Sequence, residues 1–233
     1  MKSFKIRENI KEAWLLFKNN LSTFFLILAL LYVAESVSEK ENIILSIIVS
    51  IVGIFVSYMI IKFLLSIIDK KEFNIFSKKS FPTLKQLWRF FATYIIVAIT
   101  GMGSFLVFFI PAFFILSKTI ILTSLVKILF GFSVIGLIVG IYFAVRLMFA
   151  LFIVIDKEKG IIESIKESWS ITKGHFWKIF WKTFLIELFM VVGFLLFFVG
   201  AFITYPMGMI LFTMLYRHFK NGEIIKEAEL IRE

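Results

Sequence analysis

The sequence predicts an all-α, polytopic integral membrane protein: six transmembrane helices arranged as three repeats, each an amphipathic interfacial helix followed by a transmembrane hairpin. Three observations predict it. Hydrophobic residues fill 60% of the 233 positions, the mean hydropathy is +0.96, and only 18% of residues are charged, against roughly 25% in soluble domains. The apolar runs are too long and too numerous for those charges to cover, so lipid must be the solvent. A short amphipathic pattern ending in Trp also occurs three times, always ahead of apolar sequence.

Taken in order, Met1 to Asn20 places Phe4, Ile10, Ala13, Trp14, Phe17 and Leu21 on one helical face, with Lys5, Arg7, Glu8, Lys11 and Lys18 away from it. This is the signature of a helix lying on a membrane surface. Leu21 to Ala34 is short for a span of about 20 residues. The first transmembrane helix is therefore expected to begin inside the amphipathic segment and run to Val37, either tilted or re-entrant. Glu35, Glu39 and Glu41 mark its far side. The N-terminal segment lacks a small-x-small cleavage site and is expected to be retained.

Asn42 to Ile68 is the cleanest span. Ser46, Ser50, Gly53 and Ser57 fall on one face, where small side chains allow two backbones to approach in lipid, so this stripe is expected to face another helix. Lys62 near its inner end is expected to snorkel to headgroups. A basic loop and a second amphipathic run, Phe81, Leu84, Leu87, Trp88 and Phe91, lead into a third span to Leu116, in which Pro111 is expected to produce a kink. Thr119 to Ile155 is apolar for longer than one span needs. It reads either as a helix to Tyr142, then Arg146 and a short interfacial helix, or as one tilted span with Arg146 at depth. Gly136 and Gly140 form a GxxxG pair, a packing signal.

The third amphipathic segment, Gly160 to Trp177, carries Ile161, Ile165, Ser168, Trp169, Thr172 and Phe176 at helical spacing, with Glu163, Lys166, Glu167 and Lys173 facing elsewhere. Lys178 to Arg217 suits a hairpin, with Gly200 or Thr204-Tyr205-Pro206 as the turn, and a charged, soluble tail covers 217–233.

The repeat consists of IKEAW at Ile10–Trp14, LKQLW at Leu84–Trp88 and IKESW at Ile165–Trp169. It divides a single membrane domain into units 1–68, 69–155 and 156–220. With both termini and all three amphipathic segments in the cytoplasm, 22 of the 26 basic residues lie on that side and only Lys40 and Lys118 in outer loops, the asymmetry expected of cell-membrane proteins.

The segment from Arg146 through Asp156 to Trp177, RLMFALFIVIDKEKGIIESIKESWSITKGHFW, resembles the R-x-x-x-A…D…G…(A/S)-x-x-x-S-W-x-(L/I)-T-x-G-x-x-W pattern of a broad group of prokaryotic membrane proteins. That group includes the membrane region fused to some glycerophosphodiester phosphodiesterases and the YciC-like proteins of unknown function. The stretch PMGMILFTMLYRHFK is similar to the group's Pro…Leu-Tyr ending. The resemblance is distinctive over the last third of the chain and topological before it. It implies a polytopic membrane domain and no activity, because the phosphodiesterase chemistry of the fused members belongs to a separate soluble domain.

Candidate chemistry is sparse. The net charge of +10 is accounted for by membrane-facing loops, and no nucleic-acid module accompanies it. The absence of cysteine excludes disulfides, thiolate metal sites and a Cys nucleophile. His175 and His218 stand without HxxxH or HExxH spacing, and neither a GxSxG elbow nor a Walker loop occurs, so neither enzyme activity nor a cofactor is expected. Glu187 is the carboxylate placed most plainly inside a span; Arg146 is its expected partner and Lys182 the local alternative. Trp14, Trp88, Trp169, Trp177 and Trp181 are expected to be interfacial anchors, beside basic residues that attract anionic lipid. The expected function is non-enzymatic: organising inner-leaflet lipid, or docking a protein partner or a second copy. The alternative is a transporter or permease for a small solute or lipid.

Overall fold

A computed structural model describes the backbone of residues 4–27, 29, 43–74, 77, 80–116, 123–195 and 199–230. Among the described residues the fold is all-helical. The helices are α1 (Ile6–Asn19), α2 (Ile43–Ile68), α3 (Leu84–Leu116), α4 (Thr123–Leu147), α5 (Ala150–Asp156), α6 (Ile161–Thr172), α7 (Phe176–Leu195) and α8 (Val199–Leu230). Residues 21–27 are also helical. Glu35, Glu39, Lys40, Glu41, Lys78, Lys79, Lys118 and the end of the expected first span lie outside the described residues.

Six spans are expected from the sequence. Among the described residues two stretches are long and apolar enough to cross a membrane, Leu45–Ile68 and Gly131–Asp156, with mean hydropathies of 2.4 and 2.5. The first matches the span expected from Asn42. The second contains a turn at residues 148–149 that separates α4 from the short α5, so the short helix of the first reading is present, but α4 runs past Tyr142 to Leu147 and Arg146 lies inside it.

Helices α3 and α4 pair extensively, as do α7 and α8, and α1 lies against α8. The central core is built from Tyr58, Phe63 and Leu64 of α2, Phe90 of α3, Ile153 of α5 and Ile210 to Tyr216 of α8. Local chemistry sets the helix starts. Thr83 and Gln86 exchange bonds at the head of α3, the Gln86 N–H donating to the Thr83 hydroxyl at 3.3 Å and the Thr83 N–H to Gln86 Oε1 at 2.8 Å, a reciprocal capping box. At α6 the Gly160 N–H donates to Glu163 Oε2 at 3.2 Å.

Several expectations are corrected here. The first apolar stretch is not continuous with α1: the helix ends at Asn20, whose side-chain amide donates to the Leu16 carbonyl at 2.9 Å, because Asn competes with the backbone for its own hydrogen bonds. The α7–α8 turn does not fall at Gly200 or at Thr204–Pro206. Helix α8 runs from Val199 through Pro206, and the Thr204 hydroxyl donates to the carbonyls of Gly200 (3.1 Å) and, across to α7, Met190 (3.3 Å). Nor is residue 217 the start of a soluble tail, since α8 continues and Tyr216 and Phe219 are buried. The buried face of α6 is Ser164, Ser168, Ile171 and Thr172, with Ile161 and Ile165 only half-buried. Hydroxyls that bond back to carbonyls one turn earlier make this a thin face that fits close to its neighbours. The kink expected at Pro111 falls where only helical backbone is described.

The small-residue stripe on α2 is also corrected. Ser50 is exposed, its hydroxyl donating to the Ser46 carbonyl, and among the described residues nothing lies within 4 Å of where a Cβ on Gly53 would stand. Close approach occurs between α7 and α8 instead. A Cβ on Gly193 would strike the Thr204 side chain, and one on Gly200 would strike the Gly193 backbone. Of the GxxxG pair, Gly136 is buried and Gly140 half-buried on α4.

Candidate functional site

The C-terminal ends of α2 and α5 meet the middle of α8 in a polar cluster. Asp69 follows the last residue of α2, Asp156 ends α5, and Tyr216, Arg217 and Lys220 share one stretch of α8. One carboxylate oxygen of Asp156 accepts from the Tyr216 hydroxyl (2.8 Å), Arg217 Nη1 (2.7 Å) and the Lys220 ammonium, while Arg217 Nη2 donates to Asp69 Oδ2 at 2.7 Å. The guanidinium thus bridges two carboxylates from different helices, a fork that only Arg provides. Its side chain is 14% exposed and that of Asp156 11%.

The backbone places both aspartates. After α2 the Lys71 N–H bonds back to the Ser66 carbonyl at 2.9 Å while Lys70 takes φ 55°, a left-handed closure usually left to Gly. After α5, Glu158 takes φ 50°. Its carbonyl accepts from Arg89 Nη1 at 2.7 Å and its carboxylate from the Gln86 amide at 2.7 Å, so the head of α3 grips this loop. Lys157 and Lys159 close on Glu167 of α6, Lys159 at 2.5 Å. Burial alone would raise the Glu167 carboxyl, but the hydrogen bonds from Lys157 and Lys159 outweigh it and hold the group below its usual range.

A second polar knot lies beside the first. Arg146, in the last turn of α4, stands over the rings of Tyr142 (5.1 Å) and Trp169 (5.2 Å) and donates to Thr172 Oγ1 at 3.3 Å and the Trp169 carbonyl at 3.4 Å. The Ser168 hydroxyl donates to the Arg146 carbonyl at 2.8 Å. Arg146, Ser168, Trp169 and Thr172 are four positions of the pattern quoted above, and here they touch one another. No family model, curated protein or solved structure matches this chain.

The expected Arg146–Glu187 pair is not formed. Glu187 lies on the opposite side of α4, lining a half-open groove of about 330 Å³ with Ile141, Val145, Met148, Thr183 and Phe212. Val145 points into this groove and Arg146, one position on, is turned toward α6, since adjacent residues on a helix face about 100° apart. The local alternative fails as well: Lys182 donates to the Phe4 carbonyl at 2.5 Å and stands 5.1 Å over the Phe4 ring. Lys62 does not snorkel freely either, since it donates to the Ser80 carbonyl at 3.2 Å.

Trp14, Trp88, Trp177 and Trp181 are exposed, whereas Trp169 is half-buried against Arg146. His175 packs on Phe219 and His218 on Phe4. Among the described residues no three His, Asp or Glu side chains gather as a metal site would require.

Sequence reasoning gave Asp69 and Asp156 no role and missed the cluster. A signal was present: Ile68-Asp69-Lys70 and Ile155-Asp156-Lys157 are the same tripeptide at the ends of the two described stretches long and apolar enough to cross a membrane.

Proposed function

We propose that this chain is a multi-pass protein of the cell membrane, without enzymatic activity of its own, that holds the inner leaflet and organises lipid there or docks a partner. In this reading six spans form the three repeats 1–68, 69–155 and 156–220, with both termini cytoplasmic. The chain then joins the prokaryotic membrane-protein group that its Arg146-to-Trp177 segment resembles.

One observation carries the reading. Large apolar side chains stand on the outside of the helices in long rows, among them Ile47, Ile48 and Ile51 of α2 and Ile128, Phe132, Ile135 and Ile138 of α4. Apolar surface on that scale marks a membrane or partner contact. The exposed Trp14 and Trp88, each on a helix with basic residues, suit the headgroup level. A permease would need a polar path, and the groove at Glu187 offers only one charged residue among apolar neighbours.

Because the chain has no cysteine, single cysteines introduced at Ser3, Ser38 and Glu233 can be probed with an impermeant maleimide in right-side-out and inverted vesicles. Labelling of both termini from the cytoplasmic side alone, and of position 38 from the other, is expected; termini on opposite faces would overturn the topology. Native mass spectrometry from nanodiscs then reads the role. A co-purifying anionic lipid or protein is expected, and a retained small solute would favour the permease.

A further inference from the structure

A second groove, of about 510 Å³, lies between α1 and the α7–α8 hairpin. That is within the roughly 300–1,000 Å³ of small-molecule sites. Its walls are Ile6 and Ile10 of α1, Leu185, Ile186 and Phe189 of α7, and Leu211 of α8. Ile186 and Leu211 are fully buried and form the floor, while Leu185 is exposed at the edge. Two charged residues line it, Arg7 and Lys11, and no acidic one does. They are four apart on α1, so their side chains rise from neighbouring points of one face. Of the two carboxylates next to them in sequence, Glu8 is engaged by Lys5 at 3.0 Å and Glu12 does not line the groove. Lys182, one turn before Leu185 and Ile186, pins the N-terminal end of α1 to α7 and keeps the walls in place.

We infer that this groove retains one anionic phospholipid of the inner leaflet, its phosphate straddled by Arg7 and Lys11 and one acyl chain lying along Ile10, Leu185 and Phe189. Charge complementarity selects the occupant: paired cations over a hydrocarbon trough suit an anionic amphiphile, and a zwitterionic headgroup gains less from them. The inference rests on the bilayer reading proposed above and deepens it from a general affinity to one site.

The full chain is reconstituted in vesicles of equal phosphatidylglycerol and phosphatidylethanolamine, extracted in mild detergent, and its retained lipid measured by mass spectrometry. About one phosphatidylglycerol per chain is expected. Arg7→Gln with Lys11→Gln should lower that retention about 10- to 30-fold, as loss of two near-surface cation contacts implies, and Ile10→Trp, which fills the trough, should do the same with the charges intact. Lys18→Gln, on the same helix but outside the groove, should leave it unchanged, and all variants should melt with the wild type. Retention without headgroup preference, equal retention in the Arg7/Lys11 variant, equal loss in Lys18→Gln, or a free fatty acid in place of phospholipid would overturn the inference. In those cases the chain still co-floats with vesicles and the membrane reading stands. A chain that neither floats with vesicles nor retains any lipid would remove the membrane reading itself.

Discussion

Helix α2 behaves differently at its two ends. From Ile47 to Val52 its apolar side chains face outward, Ile47 and Ile51 at 57% exposure, whereas from Val56 to Ile67 the same residue types are mostly buried. The contrast recurs on α4, where Ile128 and most of Gly131 to Val139 are exposed and Val145 to Leu147 packs inward. It recurs on α8, where Phe202, Ile203 and Tyr205 are exposed and Met207 to Tyr216 is almost wholly buried. The packed ends carry the Asp156 cluster and the Arg146 knot; the open ends carry neither. In lipid, one isoleucine gains little by touching another isoleucine instead of an acyl chain, and association is set where polar groups must find partners. On the bilayer reading proposed above, hydrophobicity supplies the affinity for lipid, and the polar contacts at one end fix the arrangement of the helices.

The strongest way to break this contrast is Asp156→Asn. It removes the charge shared by Arg217 and Lys220 and leaves both cations beside a neutral amide, at a cost of about 3–5 kcal/mol. Thermal melting in detergent should show the largest loss of any single change; a variant melting with the wild type would dissolve the distinction between the ends. Asp69→Asn, which leaves Arg217 its bond to Asp156, should cost less.

Next is Gly200→Ala. A Cβ there would meet the Gly193 backbone, which cannot yield as a side chain can, so overpacking of about 1–3 kcal/mol is expected in the same assay. Arg146→Lys follows at about 1 kcal/mol, since a point charge cannot bridge two rings and Thr172 together. Glu187→Gln is its control and should leave the melting temperature unchanged, because Glu187 lines a groove and pairs with neither expected partner.

Glu167 provides a pH test. Its carboxyl is held below the ordinary value of 4.5, so it contributes stability above that value and loses the contribution as pH falls toward the folded pKa. The gap in melting temperature between wild type and Glu167→Gln should therefore be constant from about pH 8 to pH 5.5 and narrow below about pH 4.5. A gap that widens on acidification would contradict the Lys157 and Lys159 bonds. Gly53→Ala should cost no more than about 0.5 kcal/mol, since among the described residues nothing lies within 4 Å of the added Cβ. A marked loss there would mean that a second chain covers the open end.

The helices themselves were legible because helical periodicity and apolar length are local properties. The amphipathic α1 and α6, the apolar α2 and the α7–α8 hairpin all follow from spacing within a few turns. The cluster was not legible in this way: Arg217 lies 61 residues beyond Asp156 and 148 beyond Asp69, and no periodicity links residues so far apart. Ser46, Ser50, Gly53 and Ser57 show a related limit. Helical spacing establishes that residues share a face, but not that anything covers it. Arg146 and Glu187 show a third, since comparable depth along two helices says nothing of rotation about their axes.

One tether also orders events during synthesis. Phe4 leaves the ribosome well ahead of the ammonium that grips its carbonyl, which is 178 positions later, and of the imidazole against its ring, that of His218. Helix α1 therefore waits until α7 and α8 have been made before its berth exists. Its docking must follow theirs, and chains cut short before His218 will leave that helix without its seat.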